Sequence, residues 1–160
     1  MSELLLRPAR PEDESAVVAI AVAEWEAIYG GYREQLGDEV FFTFFPNHRE
    51  AKEAAIRHNL KSGTMYVTEC EGRVAGFIHF VYDEGARIGT ISNNAVSGEF
   101  RGRGIGPRQY AFVFDLLRER GAVGVRVTTG LDEAHAPARR AYEKAGFKVS
   151  TQAITYYKKL

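Results

Sequence analysis

Hydrophobic positions near the start of the chain take up helical spacing after a short extended segment. We predict a strand over residues 3–7, followed by two prolines and an acidic turn at 12–14 that suits the beginning of a helix. Apolar side chains then recur every three or four residues, at Val17, Ile20, Ala21, Trp25 and Ile28. We expect this helix to end at the glycine pair 30–31, and a second helix, capped by Asn47, to run as far as residue 61.

The rest of the chain alternates between segments rich in β-branched residues and helical segments. The predicted strands cover residues 65–69, 74–82, 88–96, 123–129, 147–151 and 154–159. Polar Ser92, Asn93 and Asn94 interrupt the third of these and indicate a bulge. Helices are expected after residue 104 and over 136–145. This order predicts an α/β (α+β) fold with a mixed, largely antiparallel sheet of six or seven strands flanked by about four helices.

Composition narrows the function classes. The chain has 160 residues, enough for one domain, with 45% hydrophobic residues and 26% charged ones, which is typical of a globular protein. Its 21 basic and 21 acidic residues cancel, which argues against nucleic acid or a membrane surface as a partner. We find no signal peptide or membrane-spanning stretch, and the lone Cys70 rules out an internal disulfide. We therefore expect a cytoplasmic protein in which Cys70 is a buried strand residue.

A glycine-rich loop at residues 96–106 is the clearest functional signal. Gly102, Gly104 and Gly106 alternate between a predicted strand and a predicted helix, so that unscreened backbone amides and the helix dipole favour an anion. The loop is not a Walker loop, because no Gly-Lys-Ser/Thr closes it, and it lacks the third glycine of a dinucleotide fingerprint. A plain glycine-rich turn has the same composition, so the loop alone leaves its ligand open.

Two motifs together resemble a known family. The loop reads Arg101-x-x-Gly104-x-Gly106, and residues 138–147 downstream read Ala-Arg-Arg-Ala-Tyr-Glu-Lys-Ala-Gly-Phe. Both are similar to motifs of the GNAT superfamily of N-acetyltransferases, in the family's order. The resemblance spans essentially the whole chain and implies a single GNAT-type domain over residues 1–160, with acetyl-CoA as the acyl donor.

The resemblance also implies a set of cofactor contacts. In this family the pantetheine arm pairs with the strand before the loop, the loop amides hold the pyrophosphate, and an arginine contacts the 3′-phosphate. The residues this implies here are Ala95, Val96, Ser97, Arg101, Gly102, Arg103, Gly104, Ile105, Gly106, Arg108 and His135. Either Arg103 or Arg108 suits the 3′-phosphate. His135 stands where the family often has a pantetheine-binding asparagine, and the alternative is a solvent-facing residue ahead of a helix.

Tyr142 corresponds to the general acid of the family. A phenol with an ordinary pKa of about 10 stays protonated at neutral pH and can donate to a departing thiolate. The alternative is a packing aromatic on a helix. Backbone N–H groups at residues 94–96 are candidates for stabilising the oxyanion.

The proton acceptor departs from the family pattern. Ser92 stands where many members carry a glutamate, and serine is a poor base by itself. It is a candidate for holding a relay water while Asp83, Glu84 or His79 accepts the proton. The amine could also arrive already neutral.

The acceptor pocket is expected from the first two helices and the last strands. Its candidate lining residues are Trp25, Tyr29, Tyr32 and Asn94, with Phe41 and Phe45 nearby. Core packing is the alternative explanation for these aromatics. Glu24 and Glu26 would favour a cationic amine if they face the pocket.

We expect no metal, since His48 and His58 lack ligand spacing. The predicted acceptor is a small-molecule or peptide amine, and the chain is expected to be a monomer or a homodimer.

The prediction is therefore an acyltransferase that moves an acetyl or short acyl group to a primary amine by direct attack in a ternary complex. A non-catalytic acyl-CoA-binding regulatory module on the same fold is the main alternative, because the strand glutamate is missing. A more distant alternative is an ATP-binding protein that uses the glycine loop but lacks the usual magnesium-holding hydroxyl.

Overall fold

The structure is a computed structural model that describes residues 4–160, with a five-stranded sheet covered on both faces by helices. The strands are β1 (Leu4–Pro8), β2 (Met65–Cys70), β3 (Arg73–Asp83), β4 (Ile88–Val96) and β5 (Gly124–Val127). The helices are α1 (Glu14–Phe44), α2 (His48–Leu60), α3 (Ile105–Glu119) and α4 (Ala136–Lys144). Short 3₁₀ helices cover Pro11–Asp13, Gly98–Phe100 and Glu133–His135. Within residues 4–160, no helix is both long and apolar enough to cross a bilayer.

The sheet is mixed and largely antiparallel, as the sequence predicts. Its strands lie in chain order, β1 to β4 pair antiparallel, and β5 runs parallel to β4. The predicted bulge is confirmed. His79 pairs with Asn93 but the next residue, Phe80, pairs with Ile91, which leaves Ser92 as the extra residue of β4.

β4 is longer than the strand beside it, and this opens one edge of the sheet. β5 pairs only with residues 88–91 of β4. The remaining part of β4, residues 92–96, has no partner strand on that side within the described residues. The glycine loop follows directly, so the gap and the loop are neighbours.

The helices bury a separate apolar layer on each face of the sheet. On one face, α1 and α2 pack on β2 and β3 through Val17, Ala21, Ile56, Val67 and Phe77. On the other, α3 packs on β3 and β4 through Ile78, Phe80, Ile91, Val113 and Leu117, with α4 alongside. The fully buried Cys70 lies in a third cluster with Phe100 and Ile105, next to the loop, so the structural role predicted for it is confirmed.

The prediction that the first helix ends at residues 30–31 is wrong. α1 continues through both glycines to Phe44, with its helical geometry broken only at Gly37. A glycine inside a helix costs about 0.5–1 kcal/mol relative to alanine, a preference that tertiary packing can override. Tyr29 and Tyr32 flank the pair, and their ring centroids are 6.4 Å apart.

The two strands predicted after residue 146 are absent, and the described sheet therefore has five strands instead of six or seven. Val149 is 93% exposed and Tyr156 is 86% exposed. The segment crosses to the end of α1, where Tyr157 packs on Phe44 at 5.0 Å. Strand propensity depends on packing against a neighbouring strand, and this segment packs on a helix instead.

Candidate active site

The glycine loop leaves a run of backbone amides free at the beginning of α3. Gly102 and Gly104 have φ angles of +78° and +76°, a region that other residues enter at a cost. Within the described chain, no protein group accepts a hydrogen bond from the N–H groups of residues 102–106. These donors lie beside the positive end of the α3 dipole, which is an arrangement that suits a phosphate.

The three arginines around the loop differ in what they contact. Arg101 donates to Glu24 of α1. Arg103 donates to Glu71 at 2.6 Å and lies over the Phe100 ring. Arg108 is exposed, and its guanidinium has no partner among residues 4–160.

The open edge of β4 presents backbone groups to the gap. The Ser97 N–H donates to the carbonyl of Ala75 in β3, at 2.9 Å. Because residues of an antiparallel ladder alternate between facing their partner and turning away, Ala95 also faces β3. The peptide groups of Asn94 and Val96 consequently face the gap left by β5.

Tyr142 lies in a partly buried hydrogen-bonded chain that crosses from α4 to α3. Its hydroxyl donates to Asn94 Oδ1 at 3.2 Å, and Asn94 Nδ2 donates to the Tyr110 hydroxyl at 2.8 Å. The two rings lie 5.6 Å apart. Burial raises the pKa of both phenols, so both stay protonated at neutral pH.

On the opposite face of the sheet, Asn93 and Ser92 meet a lysine. Lys52 of α2 donates to Asn93 Oδ1 at 2.7 Å and lies 3.4 Å from the ring centroid of Trp25. Asn93 Nδ2 in turn donates to Ser92 Oγ at 3.1 Å, and Ser92 is exposed. Burial lowers the pKa of Lys52 to about 8.

The predicted aromatic residues form a wall on this same side. Tyr29 contacts Tyr32, Phe45 and His48, with ring centroids 4.8–6.4 Å apart. Tyr32 also faces His135 at 6.2 Å. Phe41 is 1% exposed and belongs to the core beneath the wall, as the core-packing alternative predicts.

His135 lies in a tight turn after β5. Its Nδ1 is 2.7 Å from Asp132 Oδ2, and Asp132 Oδ1 also accepts from the His135 backbone N–H. Arg139 of α4 donates to the carbonyls of Gly130 and Asp132, each at 2.7 Å. The side chains of both Asp132 and His135 are mostly buried.

Two of the three candidate proton acceptors lie far from Ser92, and the third, His79, lies opposite Asn93 but contacts another serine. Asp83 and Glu84 lie in or beside the turn that precedes Ile88, about 13 Å along β4 from Ser92 at 3.3 Å per residue. His79 is 3% exposed, with Nε2 3.2 Å from Ser62 Oγ. Burial, assisted by His58, lowers the pKa of His79 to about 4, which makes it a weak base.

The sequence analysis did not predict three side chains that the structure brings into this region. Tyr110 falls at helical spacing with Val113 and Leu117, so its pattern is that of a core residue. Lys52 stands in a charged helical segment and looks like a surface residue. Asp132 alone carried a usable signal, because Asp-x-x-His before a helix allows a side-chain pair. Among the described residues, no three His, Cys, Asp or Glu side chains come together as metal ligands.

A family comparison covers most of the chain. The family described as "Acetyltransferase (GNAT) family" matches residues 18–147. The chain is also 29% identical over 154 residues to the streptothricin acetyltransferase of Streptomyces lavendulae, covering 88% of this chain and 79% of that protein.

Solved structures share the fold at low identity. The PaiA N-acetyltransferase of Thermoplasma acidophilum, in complex with coenzyme A, aligns with a TM-score of 0.72 at 16% identity, covering 97% of this chain and 96% of that one. The aminoglycoside N-acetyltransferase AAC(6')-Iy, in complex with the bisubstrate analog CoA-S-monomethyl-acetylneamine, aligns with a TM-score of 0.61 at 18% identity, covering 99% and 100%.

Proposed function

The chain belongs to the GNAT acetyltransferase family, and on that premise we propose that it transfers an acetyl or short acyl group from acyl-CoA to a primary amine. The observation that carries this proposal is the position of Tyr142. Its hydroxyl contacts Asn94, which lies in the part of β4 that extends beyond β5. The loop with the free amides follows directly after this part of the strand.

The donor would lie along the gap and the loop. Residues 102–106 offer amides for the pyrophosphate, and the pantetheine arm would pair with the peptide groups at 94–96, as an added strand does. Because Arg103 is already paired with Glu71, Arg108 is the better candidate for the 3′-phosphate.

Transfer proceeds by direct attack of the amine on the thioester carbonyl. The C–N bond forms, the C–S bond breaks, and the leaving thiolate takes a proton from the Tyr142 hydroxyl. The tyrosinate then regains a proton from the new amide nitrogen. An outward-facing backbone N–H of β4 is available to stabilise the oxyanion.

The acceptor is a small-molecule amine. A groove of about 900 Å³ between α1 and α2 carries charges of both signs, because Arg49 and Arg57 line it together with Glu12, Glu14, Glu26 and Glu53. None of its lining residues belongs to β4, the glycine loop or α4, so the groove is not assigned to the acceptor. Streptothricin and aminoglycoside acetyltransferases among the similar proteins act on small-molecule amines, in agreement with this class.

The test is release of free thiol from acetyl-CoA in the presence of a panel of amines. The panel contains a streptothricin, an aminoglycoside and an amino-terminal peptide, with an amine-free reaction as the control for hydrolysis. We expect thiol release that depends on a cationic small-molecule amine. Calorimetric binding of CoA without turnover on any amine would instead support the regulatory module, which the absence of a carboxylate at Ser92 favours.

A further inference from the structure

The turn after β5 is built around one histidine. Gly130 lies so close to it that a Cβ there would be 2.4 Å from both Asp132 Oδ2 and His135 Nδ1. Arg139 fixes the turn through the carbonyls of Gly130 and Asp132. The absence of a side chain at Gly130, the hydrogen bonds from Arg139 and the carboxylate of Asp132 together hold the His135 imidazole in one orientation.

The carboxylate also fixes which ring nitrogen carries the proton. Burial opposes ionisation of Asp132, but the hydrogen bonds from His135 outweigh it and keep the pKa of Asp132 below its usual range. An ionised carboxylate only accepts hydrogen bonds, so His135 Nδ1–H must be the donor. The lone pair of His135 is thereby left on Nε2.

The topology brings this turn to the proposed reaction site. β5 is parallel to β4, and the turn leaves its carboxyl end beside residues 92–96, where β4 has lost its neighbour. His135 faces Tyr32 on the acceptor side. It is also the N-cap residue of α4, and Tyr142 follows two helical turns later, about 10 Å along the axis.

We propose that His135, oriented by Asp132, is the general base that deprotonates the acceptor ammonium. The inference rests on the proposed acyl transfer and supplies the base that Ser92 cannot. His135 Nε2 takes one proton from R–NH₃⁺, and the neutral amine attacks the thioester. Tyr142 gives a proton to the sulfur and regains one from the amide nitrogen. The imidazolium then releases its proton to solvent, which accounts for the single H⁺ produced when R–NH₃⁺ and acyl-CoA become amide and CoA-SH.

Three charged or titratable groups face His135. They are Asp132 on its own turn, Arg139 from α4 and Tyr32 from α1. The pKa of Asp132 is lowered, so its carboxylate stays ionised, while burial raises the pKa of Tyr32 and keeps its phenol neutral. Because a base must be unprotonated to accept a proton, kcat/KM should rise with pH to a plateau.

The deciding variant is His135→Asn, because asparagine keeps a hydrogen bond to pantetheine but cannot act as a base. We expect kcat/KM to fall by about a hundredfold or more, loss of the rising limb of the pH profile, and an unchanged CoA dissociation constant by calorimetry. Asp132→Asn should show a smaller fall, and Asp115→Asn, on an exposed carboxylate of α3, should show none.

The outcomes separate the two proposals. A fully active His135→Asn variant would overturn the base role and leave His135 as a cofactor contact. A wild-type protein that releases no thiol with any amine contradicts the proposed function itself. The ¹⁵N chemical shifts of the His135 imidazole test the Asp132–His135 pair without turnover. A proton on Nδ1 in wild type that is lost in Asp132→Asn supports the proposed pair. A proton on Nε2 in wild type overturns it.

Discussion

Asn93 and Asn94 are adjacent in β4, yet they serve opposite faces of the sheet. Asn94 links the hydroxyls of Tyr110 and Tyr142 on the face covered by α3 and α4. Asn93 accepts from Lys52 and donates to the exposed Ser92 on the face covered by α1 and α2. Side chains of a strand alternate between its faces, so one step along the chain changes the environment completely.

The fold divides the proposed acid and base chemistry between the two faces of the sheet. On the Asn94 side, two buried phenols with raised pKa values hold their protons and suit donation to a leaving group. On the Asn93 side, a lysine of lowered pKa, an aromatic wall and His135 suit an amine that must lose a proton. The two faces of β4 thus keep the proposed acid, Tyr142, apart from the proposed base, His135.

The largest expected effect is a loss of activity when Tyr142, on the same face as Asn94, is substituted. Tyr142→Phe removes the proposed acid while keeping the ring contacts, so kcat/KM should fall by about a hundred- to ten-thousand-fold. The measurement is thiol release, with the exposed Tyr156→Phe as the matched control. Undiminished turnover would contradict the acid assignment.

The next effect concerns acid stability and belongs to the Asn93 side, because His79 pairs with Asn93 across β3 and β4. Folded His79 has a pKa of about 4, below the ordinary 6.5, so the unfolded chain binds more protons between these values. The free energy of unfolding should therefore fall as pH drops from 6.5 towards 4, by on the order of 3 kcal/mol. Urea titrations should show this slope in wild type and its loss in His79→Gln. A flat wild-type profile would rule it out.

A third effect probes Arg101, which joins the loop to α1 through Glu24. Arg101→Ala should raise the CoA dissociation constant by roughly ten- to a hundredfold, the equivalent of a hydrogen bond to a charged group, about 1.5–3 kcal/mol. Glu24 holds the Arg101 guanidinium beside the loop, so Glu24→Gln should also raise the dissociation constant, by a smaller factor. Calorimetry measures both, with Arg118→Ala as the control, and unchanged affinity in Arg101→Ala would contradict the proposed loop contact.

The smallest effect compares the two asparagines directly. Asn94→Ala leaves the buried Tyr110 hydroxyl without a donor and should lower the free energy of unfolding by about 1–3 kcal/mol. Asn93→Ala removes one partner of the partly buried Lys52 ammonium, whose contact with the Trp25 ring remains, and should lower it by only about 0.5–1.5 kcal/mol. Urea unfolding of both variants checks the order, and a reversed order would contradict the contrast between the faces.

Much of the fold was predictable because local patterns agree with the packing. The bounds of β4, its bulge at Ser92 and the position of Asn47 before α2 follow from residue types within a few positions, although the Asn47 side chain makes no capping hydrogen bond. The end of α1 and the strands after residue 146 were mispredicted. In both places contacts with other elements decide: Tyr29 and Tyr32 of α1 pack on His48 and His135, and Tyr157 packs on Phe44.

The sequence by itself determined the family, and it predicted the glycine loop and Tyr142 as site residues, because all three depend on short motifs. Only the tertiary structure decided the partners of those residues. Tyr110 joins Tyr142, Lys52 joins Asn93, and Tyr32 faces His135 across separations of 32 to 103 residues in the chain. No local pattern encodes such pairs, since each arises from which helix covers which face of the sheet.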